Sequence, residues 1–241
     1  MPVNLCGRRR IPQAANPVST SICRMSDTPL VSLLLTSAEA GATIAFALSG
    51  LLEAARKRLD AVGVCMVAGL AAFGGGTLRD VLLDRRPFFW VDHAAWLWVL
   101  LALCIAAMLL LRARHFAPTE RAMQWPDALG LGLFSAGGTQ LALAQGLPAI
   151  VAVLMGVITA TFGGVLRDIV CNQIPSAFSD HRPYAVCAFI GGWVLVAGQA
   201  LGLPDSGGLL AAAATASGLR ALALATDFRL PSWSEADDPG R

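Results

Sequence analysis

The chain has 241 residues, 56% of them hydrophobic and only 14% charged, with a mean hydropathy of +0.62. Soluble domains carry about one quarter charged residues, so this composition excludes an ordinary soluble fold. The net charge of +2 is too small to point to a nucleic-acid partner.

In chain order, residues 1–29 come first and look unlike the rest. Arg8, Arg9 and Arg10 are followed by a polar stretch with no apolar core before Leu30, so no secretory signal is read here. This segment is expected to be a disordered extension, with Met25 as a more natural start. Seven apolar spans follow, near 30–53, 61–83, 92–112, 125–144, 148–171, 183–202 and 207–226. Each is long enough to cross about 30 Å of hydrocarbon as a helix. The predicted fold is therefore all-α: a polytopic membrane protein with short loops. Residues 228–241 are expected to be a disordered tail.

Basic residues set the expected orientation. Arg56, Lys57 and Arg58 follow the first span, Arg112, Arg114 and Arg121 the third, Arg182 the fifth and Arg229 the seventh. These fall on one side, which predicts an outside N-terminus and a cytoplasmic C-terminus. Six cysteines are scattered without a CxxC pair. They read as small apolar residues rather than a zinc site or disulfide framework. Five tryptophans, Trp90, Trp96, Trp98, Trp125 and Trp193, suit the membrane interfaces.

A shift of 88 residues lays the chain on itself. Gly75-Gly76-Thr77-Leu78-Arg79-Asp80 meets Gly163-Gly164-Val165-Leu166-Arg167-Asp168. Glu39 meets Asp127, Phe46 meets Phe134, Gly50 meets Gly138, Pro87 meets Pro175, and Asp92-His93 meets Asp180-His181. This predicts a three-helix repeat over 30–115, a second over 122–203, and a seventh helix over 206–227 outside the pair. An odd number of spans per repeat inverts the second copy, an arrangement that places a transport pathway at the repeat interface. The small residues of the seventh span, Ala211 to Gly218, suit close contact, either within the protomer or between subunits.

The clusters Gly74-Gly75-Gly76 and Gly163-Gly164 lie within spans two and five. Each glycine weakens a helix by about 1 kcal/mol against alanine, so both clusters are expected to kink and free backbone carbonyls. Such carbonyls are tolerated at this depth only where protein or water covers them, and they suit brief contact with a monovalent cation. The alternative is that the glycines merely let two helices pack closely. Arg79-Asp80 and Arg167-Asp168 follow the clusters. Neighbours on a helix point about 100° apart, so each charge is expected to find a partner elsewhere. Depth matching predicts two pairs, Glu39 with Arg79 and Asp127 with Arg167. A purely structural role for these charges stays open, as does an anionic lipid headgroup on the arginines. Ser49, Thr139, Gln140, Thr159 and Thr161 are weaker candidates for a polar route.

The phrases Phe73-Gly74-Gly75-Gly76-Thr77-Leu78-Arg79-Asp80 and Phe162-Gly163-Gly164-Val165-Leu166-Arg167-Asp168 resemble those of bacterial TRIC channels, the trimeric intracellular cation channels. The same family is also described as a glycine-transporter domain family. The resemblance covers residues 30–226. It implies seven helices as two inverted repeats plus one, a homotrimer in the bacterial inner membrane, and one pore per protomer lined by kinked second and fifth helices. It implies potassium or another monovalent cation as the permeant species, with membrane lipid around it. Phe162 stands where the first cluster has Gly74, which implies a milder second kink. The basic lipid-binding motif of animal members is not located here, so lipid regulation is not carried over. A secondary transporter of glycine or a similar zwitterion is the alternative. No Gly-x-Ser-x-Gly, HExxH or paired metal-ligand signature points to an enzyme, a metal or a cofactor.

Overall fold

The computed structural model describes residues 29–114 and 119–229. The extension before residue 29 and the tail after 229 lie outside the described residues. The described residues contain nine helices: α1 Pro29–Arg56, α2 Ala61–Leu82, α3 Phe89–Asp92, α4 Ala95–Arg114, α5 Glu120–Ala144, α6 Ala149–Val170, α7 Ser176–Ser179, α8 Ala185–Ala200 and α9 Asp205–Thr226. The two four-residue helices, α3 and α7, fall at matching places in the two halves. Four helices, α1, α2, α6 and α9, are both long and apolar enough to cross a membrane. Shorter apolar runs occupy Ala95–Leu109 of α4 and Ala185–Ala200 of α8.

The helices start and stop for local reasons. Asp60 precedes α2, and its carboxylate accepts a hydrogen bond from the Gly63 N–H at 2.8 Å. This satisfies one of the donors that every helix start leaves open. The fourth span, expected near 125–144, lies within α5, whose start comes somewhat earlier. Pro126 lies inside α5, and the helix begins at Glu120 behind a Thr119 cap. Proline forfeits one backbone bond, but the apolar residues that follow hold the helix against its neighbours.

The ends of α2 and α6 repeat each other in backbone detail. Asp84 and Asn172, 88 residues apart, both take left-handed φ, 48° and 54°. The Arg85 N–H returns to the Asp80 carbonyl at 2.8 Å, and the Gln173 N–H to the Asp168 carbonyl at 2.9 Å. Both are Schellman ends, which need a left-handed residue and favour Asn or Asp after Gly.

Helices α1, α2, α5 and α6 form the centre. At the α2–α6 crossing, a methyl added to Gly75 would lie 2.1 Å from the Thr159 carbonyl oxygen, and one added to Gly163 would lie 2.3 Å from the Ala71 carbonyl oxygen. Ala71 and Thr159 are themselves 88 residues apart. The two contacts are therefore copies related by an approximate two-fold axis through the crossing. Both helices continue as α-helix through their glycine clusters. The carbonyls expected to be freed there remain in helix; Gly75 and Gly163 lie where two backbones meet, while Gly74 faces Leu166, Gly76 the Phe89 ring and Gly164 the Tyr184 hydroxyl. Large apolar side chains such as Val62, Met66, Ile105, Leu109, Leu129, Leu210 and Leu222 point outward. The interior holds, within its apolar core, Glu53, Arg79, Asp80, Asp127, Arg167, Asp168 and Arg220. Apolar outside and ionic inside is the distribution that a lipid solvent selects.

Candidate functional site

Two buried charge clusters lie at the ends of α2 and α6. In the α2 cluster, Arg79 is fully buried and its Nη1 lies 2.8 Å from Oε1 of Glu39 on α1. The pair predicted from depth is present. A second contact was not predicted. The Arg79 Nε and Nη2 donate to Oδ1 of the adjacent Asp80 at 2.9 and 2.8 Å. The expectation that neighbours on a helix cannot meet is corrected here. The Cα–Cβ bonds diverge, but the arginine side chain is long enough to fold back across its own turn. The other Asp80 oxygen accepts from the Phe89 N–H at 2.8 Å and so caps α3. The Arg79 guanidinium also lies 5.5 Å above the Phe89 ring, a cation–π contact.

The α6 cluster repeats this plan. The Arg167 Nε donates to Asp168 Oδ1 at 2.8 Å, and its Nη1 donates to Oδ1 of Asp127 on α5 at 2.6 Å. The same Nη1 also meets the Ser49 hydroxyl. The free Asp168 oxygen accepts from the Ser176 N–H at 2.8 Å and caps α7. Tyr184 sits beside this cluster, with its hydroxyl 3.0 Å from a methyl placed on Gly164.

A buried arginine is tolerated only when paired and hydrogen-bonded. Each one here binds a carboxylate from another helix and the carboxylate beside it. Each carboxylate then fixes the start of a short helix. One residue pair thus ties three elements together at each end of the crossing.

Two arrangements escaped the sequence reading. Arg220 is 1% exposed in α9. It donates to the Pro183 carbonyl at 3.3 Å, lies 3.6 Å from Asp180 and sits 4.9 Å above the Tyr184 ring. A charge inside an apolar span was the available signal, obscured by the small-residue run around it. Close by, Arg182 donates to Asp227 at 2.9 Å. Its guanidinium holds the Asp227 carboxyl below the usual carboxylate range. Near the α6 cluster, Glu53 on α1 is fully buried and bonded to Arg56 at 2.8 Å. The Gln173 amide, turned to satisfy both ends, donates to Glu53 and accepts from Lys57 at 2.7 Å and Arg56 at 2.8 Å. A polar cavity of about 300 Å³ opens here, lined by Arg56, Asp168, Gln173, Ser176 and Asp180 among others. Thr139 and Thr159 are buried at the α5–α6 contact, and the Thr159 hydroxyl bonds the Met155 carbonyl of its own helix at 2.6 Å.

The family model described as glycine transporter matches this chain twice, over residues 36–112 and 124–200. The chain belongs to this glycine-transporter family. The two matches begin, and end, 88 residues apart, the same shift that superposes the two clusters. This glycine-transporter chain is similar to bacterial membrane proteins. A UPF0126 membrane protein of Vibrio cholerae is 34% identical over 216 residues, covering 88% of each chain. The UPF0126 inner membrane protein YadS of Escherichia coli is 36% identical over 152 residues, covering 63% of this chain and 72% of its own length. Among solved structures, the TRIC trimeric intracellular cation channel orthologue from Rhodobacter sphaeroides superposes with a TM-score of 0.74. It is 32% identical and covers 83% of this chain and all of that one. A second TRIC cation channel structure superposes with a TM-score of 0.71 at 28% identity. The fold is thus that of the bacterial TRIC channels, and the chain is an all-helical membrane protein.

Proposed function

We propose that this protein is a membrane channel that passes monovalent cations, potassium foremost, through a pathway inside each protomer. One observation carries the proposal. Two buried arginine–carboxylate clusters repeat at the ends of a single glycine-mediated crossing of α2 and α6. Buried charge of this kind is costly in a scaffold and is the expected furniture of an ion route. The similarity to TRIC cation channels supports the same reading.

In this account α2 and α6 line the route, and Gly74, Gly75, Gly76, Gly163 and Gly164 set how closely these helices approach their neighbours along it. Glu39, Arg79 and Asp80 guard the outer end, and Asp127, Arg167 and Asp168 the cytoplasmic end. Helices α1, α2, α4, α5, α6, α8 and α9 cross the membrane, with the N-terminus outside and the C-terminus in the cytoplasm. Three copies assemble, each with its own route, in the bacterial inner membrane. The chemistry is passage, not catalysis.

Reconstitution of the purified full chain in planar bilayers tests this. Unitary current steps in KCl that do not saturate with added glycine are expected. Saturable glycine uptake and exchange without current steps would replace the channel by a carrier.

A further inference from the structure

The 88-residue shift pairs Arg85 with Gln173. Their backbones are equivalent, each directly following the left-handed residue of a helix end, with its N–H bonded back to an aspartate carbonyl. Their side chains part company. Gln173 is engaged with Glu53, Arg56 and Lys57. Arg85 reaches into the α2 cluster, where its Nη1 lies 3.6 Å from Glu39 Oε1 and 3.9 Å from Asp80 Oδ1.

The quality of these contacts differs between the clusters. The Arg167 Nη1 makes a directed hydrogen bond to Asp127. In the α2 cluster, Arg85 Nη1, Arg79 Nη1 and Glu39 Oε1 are all shielded from solvent, yet none has an aligned hydrogen bond. Charge alone holds Arg85 in place. Its side chain is 36% exposed, so water is at hand to receive it. Without Arg85 the cluster holds two carboxylates against one guanidinium, one negative charge in excess. A positive group attracted by charge and not by directed bonds can be exchanged for another cation of similar charge.

We propose that the Arg85 guanidinium occupies the seat that a permeating monovalent cation takes between Glu39 and Asp80. Arg85 is a tethered competitor at the outer end, and the equivalent position at the cytoplasmic end holds the uncharged Gln173. This rests on the cation-channel reading above and assigns a specific residue to control of entry. The Schellman end fixes the Arg85 backbone, so side-chain rotation alone would open the seat.

Single-channel recording of Arg85→Gln tests the idea. At about 50 mM KCl, removal of one charge within roughly 6 Å of the seat should raise unitary conductance about threefold. At 1 M KCl screening should erase most of the difference. Arg85→Lys should follow the wild type. An unchanged conductance in Arg85→Gln, with a conducting wild type, overturns the inference and leaves the channel reading intact. Should the wild type carry no current, the channel reading falls and thermal melting decides the inference. Tm in KCl is then compared with Tm in N-methylglucamine chloride at equal concentration. A potassium-specific rise larger in Arg85→Gln than in wild type supports the seat, and an equal response in both proteins overturns it.

Discussion

Arginine 167 shows how tightly this interior is bound. It is 1% exposed and joins Asp127, Asp168 and Ser49, which come from three helices. Arg167→Ala leaves two buried carboxylates without a counter-charge. Removing one partner of a buried pair costs about 3–5 kcal/mol, so the variant should melt well below the wild type in detergent. Asp127→Asn keeps the shape and one acceptor oxygen and should fall less. A melting temperature unchanged in Arg167→Ala would show that water already reaches the cluster and pays for the charge. At this scale the sequence disclosed the pairs Glu39–Arg79 and Asp127–Arg167 through depth matching alone. It did not disclose Arg79–Asp80 or Arg167–Asp168, because helical spacing fixes Cα–Cβ directions and not the reach of a long side chain. Arg220 was also missed. Its partners Pro183, Asp180 and Tyr184 belong to a turn whose path no periodicity specifies.

Helices α2 and α6 owe their closeness to glycine, and this is where an element-scale test belongs. Gly75→Ala would press a methyl against the Thr159 carbonyl, and Gly163→Ala would press one against the Ala71 carbonyl. Neither backbone atom can rotate away, so the helices must separate. Both variants should lose stability and alter conduction, measured by melting and by unitary current. Gly137→Ala is the control, since nothing lies within 4 Å of its added methyl. It should gain up to about 1 kcal/mol of helix propensity. Equal behaviour of all three would mean that the crossing tolerates a gap. The sequence announced both clusters as special but offered two uses for them, a break or a close approach. Glycine permits either, and only the neighbouring helix decides. The helix starts were less legible than the spans. Proline suits the first turn of a helix, yet α5 begins six residues before Pro126, behind the Thr119 cap.

Within its spans the protein buries its charge and turns apolar side chains outward, so assembly must use a face that the buried clusters do not form. The trimer proposed above should therefore survive Arg79→Ala. Mass determination in mild detergent is expected to give three copies for both proteins, and a monomer for the wild type would remove the assembly from the account. The duplication was legible at this scale because chance does not place Gly-Gly-x-Leu-Arg-Asp, proline and Asp-His in one register twice. The reciprocal contacts Gly75–Thr159 and Gly163–Ala71 carry a consequence for ancestry. Each half supplies what the other half needs at the crossing. A gene encoding one half could have sufficed, provided its product entered the bilayer facing both ways and two such molecules met. Fusion of the genes would then have freed the copies to diverge, as arginine at 85 and glutamine at 173 already have.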